Sequence, residues 1–565
     1  MLRDSTFLIQ EHRSYVELLR ALADSSLQSL TLITSREKLN EEGIKIDLYR
    51  LSGLTLEAWK QYFDHQKIIR SVEHNTLKEI RDAFDGNAEA MNVISKAIIT
   101  DYNRDLESYW LDNKEDLLIE RTLNNLIKKQ FERLLDIKLN DAYNLLCRLG
   151  CYRYQDVPII PETGLICLLW DVAENQYKRT IKILKERGLV ECKDSKYFLH
   201  PVIREESINR LRNSDDWEKA NRQAAEFWTE SVSTIENIED AQKALESYHH
   251  YFYIRDYDKS ASIIVNEKNN KYWSEPLDIS FHRLGLLNPI INAVKKLLLF
   301  QENIKSKYYV CALLESLGDL YQVKGLLHES ALNHQASGEL ANQYSIEKYQ
   351  ILTLFNQGLC QIDFWDIEKA FDCFLGAKKI SIKNNHVRYQ GYCCFYLAFL
   401  YSLVGKRKES LDCIDEAFNI VDKKFTSWGI AYENLLLGNT YKELNLYPES
   451  FDFFKKSLDF AKDSNYPQVK GKGLVGLAEL NRIKNDFNKA FTHHQDSIKI
   501  LKKIGAKCDL AEAYFQLALT YQAMGDQRNS KIYFEKALDL WGPEQIHAPK
   551  QIERVKKAWI LGSPE

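Results

Sequence analysis

Three groups of side chains in this sequence have types that could do chemistry: cysteines, adjacent histidines, and a glycine run spaced like a phosphate cradle. Of the 11 cysteines, none forms a C-x-x-C pair; Cys147 and Cys151 stand four apart and Cys393 and Cys394 are adjacent. Zinc and dithiol chemistry therefore lack their ligand spacing, and reduced core thiols are expected. His249-His250 and His493-His494 are neighbours in sequence, so on a helix they point in different directions, and no further ligand stands at i+4 to share a metal. Gly471-Lys472-Gly473-Leu474-Val475-Gly476 fits G-x-G-x-x-G, which cradles a pyrophosphate only between a strand and a helix N-terminus. Here it falls within a helical stretch, and no nucleotide is expected on it. The phosphate loop G-x-x-x-x-G-K-[ST] occurs nowhere in the 565 residues. With no nucleophile–base motif or metal cluster either, no enzyme activity is expected.

Recognition is left, and the elements that would support it are helical. Gly (23) and Pro (10) are too few for a many-stranded β protein. The 31 Tyr, 25 Phe and 10 Trp supply ample core, which excludes wholesale disorder. A net charge of −4 gives no global case for nucleic acid or anionic membrane. The N-terminus, MLRDSTFLIQEHRSY, is charged where a signal peptide is apolar, and Lys interrupts the apolar window 290–300. A soluble, cytoplasmic protein is expected.

The second half is repetitive. Ser330, Ala370, Ser410, Ser450, Ala490 and Ser530 recur every 40 residues. Twelve residues before each stands Gly318, Gly358, Ala398, Gly438, Ala478 or Ala518, and Tyr321, Tyr401, Tyr441 and Tyr521 follow three later. Small residues at fixed places let paired helices approach closely while aromatics fill the gaps. The pattern resembles the tetratricopeptide repeat, in a 40-residue variant with lengthened helices. It covers roughly 307–541, with Gly542-Pro543 ending the array and 549–561 as a capping helix. By that resemblance the first helix of each pair lines a concave, partner-binding face. Candidate groove residues there are the aromatics Phe355, Tyr392, Phe395, Phe399, Tyr432 and Phe515, with Asn439, Lys442, Lys472 and Arg482 as polar neighbours. Core filling competes for each ring. An aromatic groove passing into a basic one suits a protein or peptide with apolar anchors and a carboxylate.

The first two hundred residues carry a second resemblance. LTLITSRE (30–37), LSGLTLEAWKQYF (51–63) and GNAEAM (86–91) are similar to the rear part of an NB-ARC-type core, from the signal-transducing ATPases called STAND proteins. Residues 140–205 look like the winged helix of that family, with a wing around Cys192-Lys193-Asp194-Ser195. The resemblance implies that Arg36 would sense a terminal phosphate, and that His200, in Leu199-His200-Pro201, would touch a bound diphosphate; a helix-capping role for His200 is equally compatible. The family's phosphate loop and Mg²⁺-binding strand have no counterpart here, and Ala88 replaces the Pro that packs on adenine. ADP or ATP is expected only if a missing front half is supplied, for instance by an upstream-encoded P-loop subunit. The helix 175–187 is basic, as a DNA-reading helix would be, but its charges spread around it and nucleic acid is not the expected partner.

The expected architecture is mainly α: an α/β remnant (1–54), a helical domain (55–139), a winged helix (140–212), a helical linker with a possible divergent repeat (213–300), a right-handed α-solenoid of six repeats (301–541) and a cap (542–565). The expected role is a non-catalytic signalling or scaffold protein without membrane or metal. A free-standing peptide-binding adaptor and a winged-helix transcription regulator are the alternatives.

Overall fold

The computed structural model describes residues 52–69, 75–119, 122–270, 274–420 and 427–561. The expected α/β remnant, with Arg36, lies outside them apart from 52–54. The chain divides into two compact units, one running to Ile137 and including Glu186–Leu189, the other comprising Lys138–Lys185 and Val190 onward.

The first unit is helical: Leu56–His65, Thr76–Ala83, Ala88–Asp101, Leu106–Ile119 and Leu123–Asp136. Each well-formed start has its reason in the sequence. Thr55 accepts from the Ala58 amide, Asn87 from those of Glu89 and Ala90, and Thr122 from Asn125. These side chains satisfy amides that a helix N-terminus leaves without a partner. Trp59 and Phe63, four apart on one face, are fully buried and stacked.

The second unit opens with helix Asn140–Arg148, a short helix Glu162–Ile166, helix Tyr177–Glu186, and an antiparallel three-stranded sheet in the order Ile160–Pro161, Lys196–Phe198, Glu191–Lys193. Helices Pro201–Arg212, Asp216–Ser231, Ile238–Tyr253 and Tyr257–Val265 follow. A hairpin, Glu267–Asn269 with Ser274–Pro276, then leads to helices Leu277–Arg283 and Leu287–Leu298. Sequence periodicity gave no sign of that hairpin. Arg283 holds it in place, donating to Glu275 at 2.8 Å from a site where both side chains are almost fully buried.

From Lys307 the chain alternates helix and turn without slippage: six pairs, ending with Lys507–Met524 and Gln527–Trp541, then the cap Pro549–Leu561. Most of these helices have 17 residues, for example Leu327–Gln343 and Val387–Leu403, and two or three residues make each described turn between them. The true period of the backbone is thus 20. A residue with positive φ recurs at 325, 345, 365, 385, 405, 445, 465, 485, 505 and 525. The amide after each bonds back five residues, as Leu326 does to the Tyr321 carbonyl at 2.9 Å and Tyr466 to Ala461 at 2.9 Å. This is the Schellman closure, and it explains why Gly and Asn dominate those positions. Turns within a repeat and between repeats are therefore the same device.

Small residues set the helix spacing. A Cβ on Gly438 would meet the Phe454 ring at 2.7 Å, and one on Gly358 would meet Phe374 at 2.7 Å. The three glycines of the G-x-G-x-x-G run lie inside helix Pro467–Ile483, where added Cβ atoms would meet Leu501, Leu458 and Phe454. They are packing contacts in mid-helix.

The array closes on itself. Gln551 Nε2 donates to the Asp363 carbonyl at 3.0 Å, Lys550 pairs with Asp366 at 2.9 Å, and Arg283 Nη1 donates to the Ser464 carbonyl at 2.7 Å. One apolar core joins Leu277, Phe281, Leu313 and Leu317 to Val475, Leu501 and Leu510, nearly two hundred residues away.

Candidate functional site

The array surrounds a partly open cavity of about 310 Å³ that the first helices of all six repeats line. The helix 277–283 and the cap 549–561 complete its wall, through His282 and through Gln551 and Arg554. Because a 40-residue repeat returns the same helix face to the same side, residues 37 to 41 apart converge: Gln322 reaches Asp363 at 2.7 Å, Lys442 reaches Glu479 at 2.7 Å, and Gln468 reaches Asp509 at 2.6 Å.

The candidate groove residues divide. Phe399, Tyr432, Asn439, Lys442 and Lys472 line this cavity. Phe355, Tyr392 and Phe395 belong to the core between repeats: Phe355 is 1% exposed and meets Phe374 edge-on at 5.4 Å, and Phe395 meets Phe418 at 5.5 Å. Phe515 is likewise buried, below the Arg554 guanidinium at 4.6 Å. Arg482 is turned toward the next repeat, where it donates to the Gln516 carbonyl and side-chain oxygen at 2.9 Å each.

The cations do not form a basic surface. Lys472 Nζ lies 2.7 Å from Asp509, and although burial alone would lower its pKa, the carboxylates of Asp509 and Asp363 carry it upward. Lys442 is held by Glu479 in the same way, against the same burial cost. Arg554 forks onto Glu512 at 2.7 and 2.9 Å, and its guanidinium lies 3.9 Å from the Trp365 ring centroid. Such bidentate, stacked geometry is what arginine offers and lysine does not.

Several acids of the wall were invisible as site residues in the sequence, where a charge on a helix reads as a solvated face. Burial pushes Asp363 up to about 6, opposed by Lys472 and by the Gln322 hydrogen bond. Burial likewise pushes Asp319 up to about 7, with His334 opposing. Asp319 lies 3.7 Å from His334, whose charge is already taken by Glu315 at 2.6 Å. Only the 40-residue register, applied to the acids, could have placed them together.

His200 caps helix Pro201–Arg212, its Nδ1 accepting from the Val202 amide at 3.4 Å. On the basic helix, Arg187 is 6% exposed and its guanidinium is spent on Asp101, at 2.5 and 2.9 Å. Among the described residues no group of three His, Cys, Asp or Glu side chains could hold a metal ion, and no helix is long and apolar enough to cross a membrane.

Comparison with known proteins gives three kinds of result. Among curated proteins no sequence matches. Among solved structures, the STAND protein with a tetratricopeptide-repeat sensor from Pyrococcus horikoshii matches at 15% identity and a TM-score of 0.43, over 94% of this chain and 77% of that one. The Rap conjugation gene regulator of plasmid pLS20, in complex with the Phr* peptide, matches at 14% identity and a TM-score of 0.42, over 74% and 96%. A Rap protein complexed with competence and sporulation factor matches at 10% identity and a TM-score of 0.39, over 76% and 100%. The tetratricopeptide-repeat family model matches residues 472–541, within the fifth and sixth helix pairs, and the chain thus carries tetratricopeptide repeats.

Proposed function

We propose that this chain is a non-catalytic signalling or scaffold protein that takes a protein or peptide segment into the cavity of its repeat array. One observation carries the reading: side chains from all six first helices converge on a single concave space that has aromatic walls and polar groups. Concave, mostly apolar sites with a few placed polar groups are where ligands bind. The Asn439 amide makes no hydrogen bond among the described residues, so it is open to an incoming partner. We further propose that the region before the repeats derives from a STAND-type nucleotide switch whose phosphate loop is absent from this sequence. The capped helix at 88–101, which starts within GNAEAM, and the small sheet with its wing support that derivation. ADP or ATP would then require a separately supplied P-loop portion acting with Arg36 and His200. The burial of Arg187 weighs against the DNA-binding alternative.

The test is capture by the tagged full chain from its native cells, in three forms. Asn439→Trp narrows the cavity, and Lys455→Trp alters an exposed position on the second helix of the fourth repeat. With all three equally stable, the wild type and Lys455→Trp should retain the same partner and Asn439→Trp should lose it. Equal capture by all three would put the partner elsewhere.

A further inference from the structure

Resting on the cavity reading, we infer that the bound segment is a peptide presenting an arginine or lysine side chain to Asp319 and Asp363, the reverse of the carboxylate-bearing ligand that the sequence suggests. The wall carries six acids, Asp319, Asp363, Glu443, Glu479, Asp509 and Glu512, against the cations Lys442, Lys472 and Arg554. Each of those three cations already has its own acid, as Glu479, Asp509 and Glu512 show. The surplus is negative. Asp363 has no ion pair among the described residues and accepts only the neutral Gln322 amide. Asp319 shares a histidine that Glu315 holds more closely. Both carboxyls are enclosed enough to resist ionisation, the condition that a ligand cation relieves.

One observation independent of the acids points to a peptide. Trp541 is 2% exposed and forms part of the wall, yet its indole N–H has no acceptor. An orphaned buried donor of this kind is costly and calls for a partner such as a backbone carbonyl. Arg554 supplies the template for the side chain: a guanidinium on a carboxylate, laid against an aromatic ring, within the same wall. Tyr396, Phe399 and Tyr432 supply further rings to the same wall. The cavity volume sits at the low end of the roughly 300–1,000 Å³ of ligand pockets, which suits one long side chain and its flanking backbone.

The experiment titrates the full chain with fluorescent tetrapeptide pools, acetylated and amidated, each fixing Arg, Lys, Leu, Glu or Asp at one position. Agmatine serves as a competitor. The Arg or Lys pools should bind at least about tenfold more tightly than the Glu and Asp pools, the scale of one charge-assisted contact. In Asp319→Asn/Asp363→Asn that preference should fall to about twofold or less, on the same scale. Should the double variant not fold, each single variant is read in its place, and the wild-type preference stands as its own criterion. Acid pools binding as well as basic ones, or an unchanged preference in the variants, would overturn the inference while leaving the cavity reading intact. Agmatine binding as tightly as the best pool would overturn the peptide assignment. Binding by no pool of any charge would remove both the cavity reading and this inference.

Discussion

Glu315 shows how single residues hold the repeats in register. Its carboxylate, 2% exposed, accepts from Thr353 at 2.5 Å, Asn356 at 2.9 Å and His334 at 2.6 Å, and so ties three helices together. Burial alone would deprotonate His334, but the charge of Glu315 prevails and its pKa stands well above the usual value. Glu315→Ala leaves that buried cation without its counter-ion, a change that costs about 3–5 kcal/mol. A denaturation midpoint should fall accordingly, and a loss below 1 kcal/mol would contradict the pairing. His494, in the equivalent place four repeats later, is the opposite case. It is fully buried, meets only Thr520 at 2.9 Å, and desolvation lowers its pKa to about 3. The unfolded chain takes a proton near pH 6.5 that the folded chain refuses until about pH 3. Its contribution to stability is thus complete above pH 6.5 and is lost as pH falls toward 3. Relative to His494→Gln, the wild type should lose about 1.4 kcal/mol per pH unit between pH 6.5 and 4.5. Parallel stability profiles for the two proteins would show that the ring is not held neutral.

The helix–turn element has a backbone period of 20, of which only the double, the 40-residue repeat, was legible in the sequence. Small residues such as Gly438 and Ser450 mark the repeat because they pack against side chains, and packing alternates between first and second helices. The positive-φ positions mix types, with Gly325, Ser345, Trp365 and Asn385 all adopting the same turn, so no single letter repeats every 20 residues to reveal it. The two glycines at 325 and 405 separate backbone strain from packing. Both have φ near +75°, so alanine at either costs about 1–2 kcal/mol for the left-handed conformation. A Cβ at Gly405 meets nothing, whereas one at Gly325 would lie 2.9 Å from Lys507 and 3.0 Å from Ile546. Gly325→Ala should therefore be the more destabilising of the two, by thermal midpoint. Equal losses would mean that the first turn does not rest on the last repeat. Sequence reasoning located the helices and their faces, including Phe399, Tyr432 and Asn439 on the cavity wall. It could not assign Phe355 and Phe395 to the core, since one helix face serves both neighbours and lumen and periodicity does not divide them.

At the scale of the whole repeat array, the proposed function rests on closure. Contacts at Arg283–Ser464, Gln551–Asp363 and Lys550–Asp366 turn an extended solenoid into an enclosure. Sequence separations of nearly two hundred residues leave no local trace, which is why these closing contacts were not legible in the sequence. Closure also changes the chemistry of the groove: lysines that would be solvated on an open superhelix are desolvated and neutralised by acids from the next repeat. The account stands on the enclosed face being the binding face. Its most direct test places a photoreactive benzoylphenylalanine at position 439, on the cavity wall, or at position 455, on the exposed second helix, of the full chain in its native cells. Irradiation should give a discrete adduct from 439 and none from 455, with the cross-linked partner residue adjoining an arginine or lysine. Adducts from 455 with none from 439 would contradict the account.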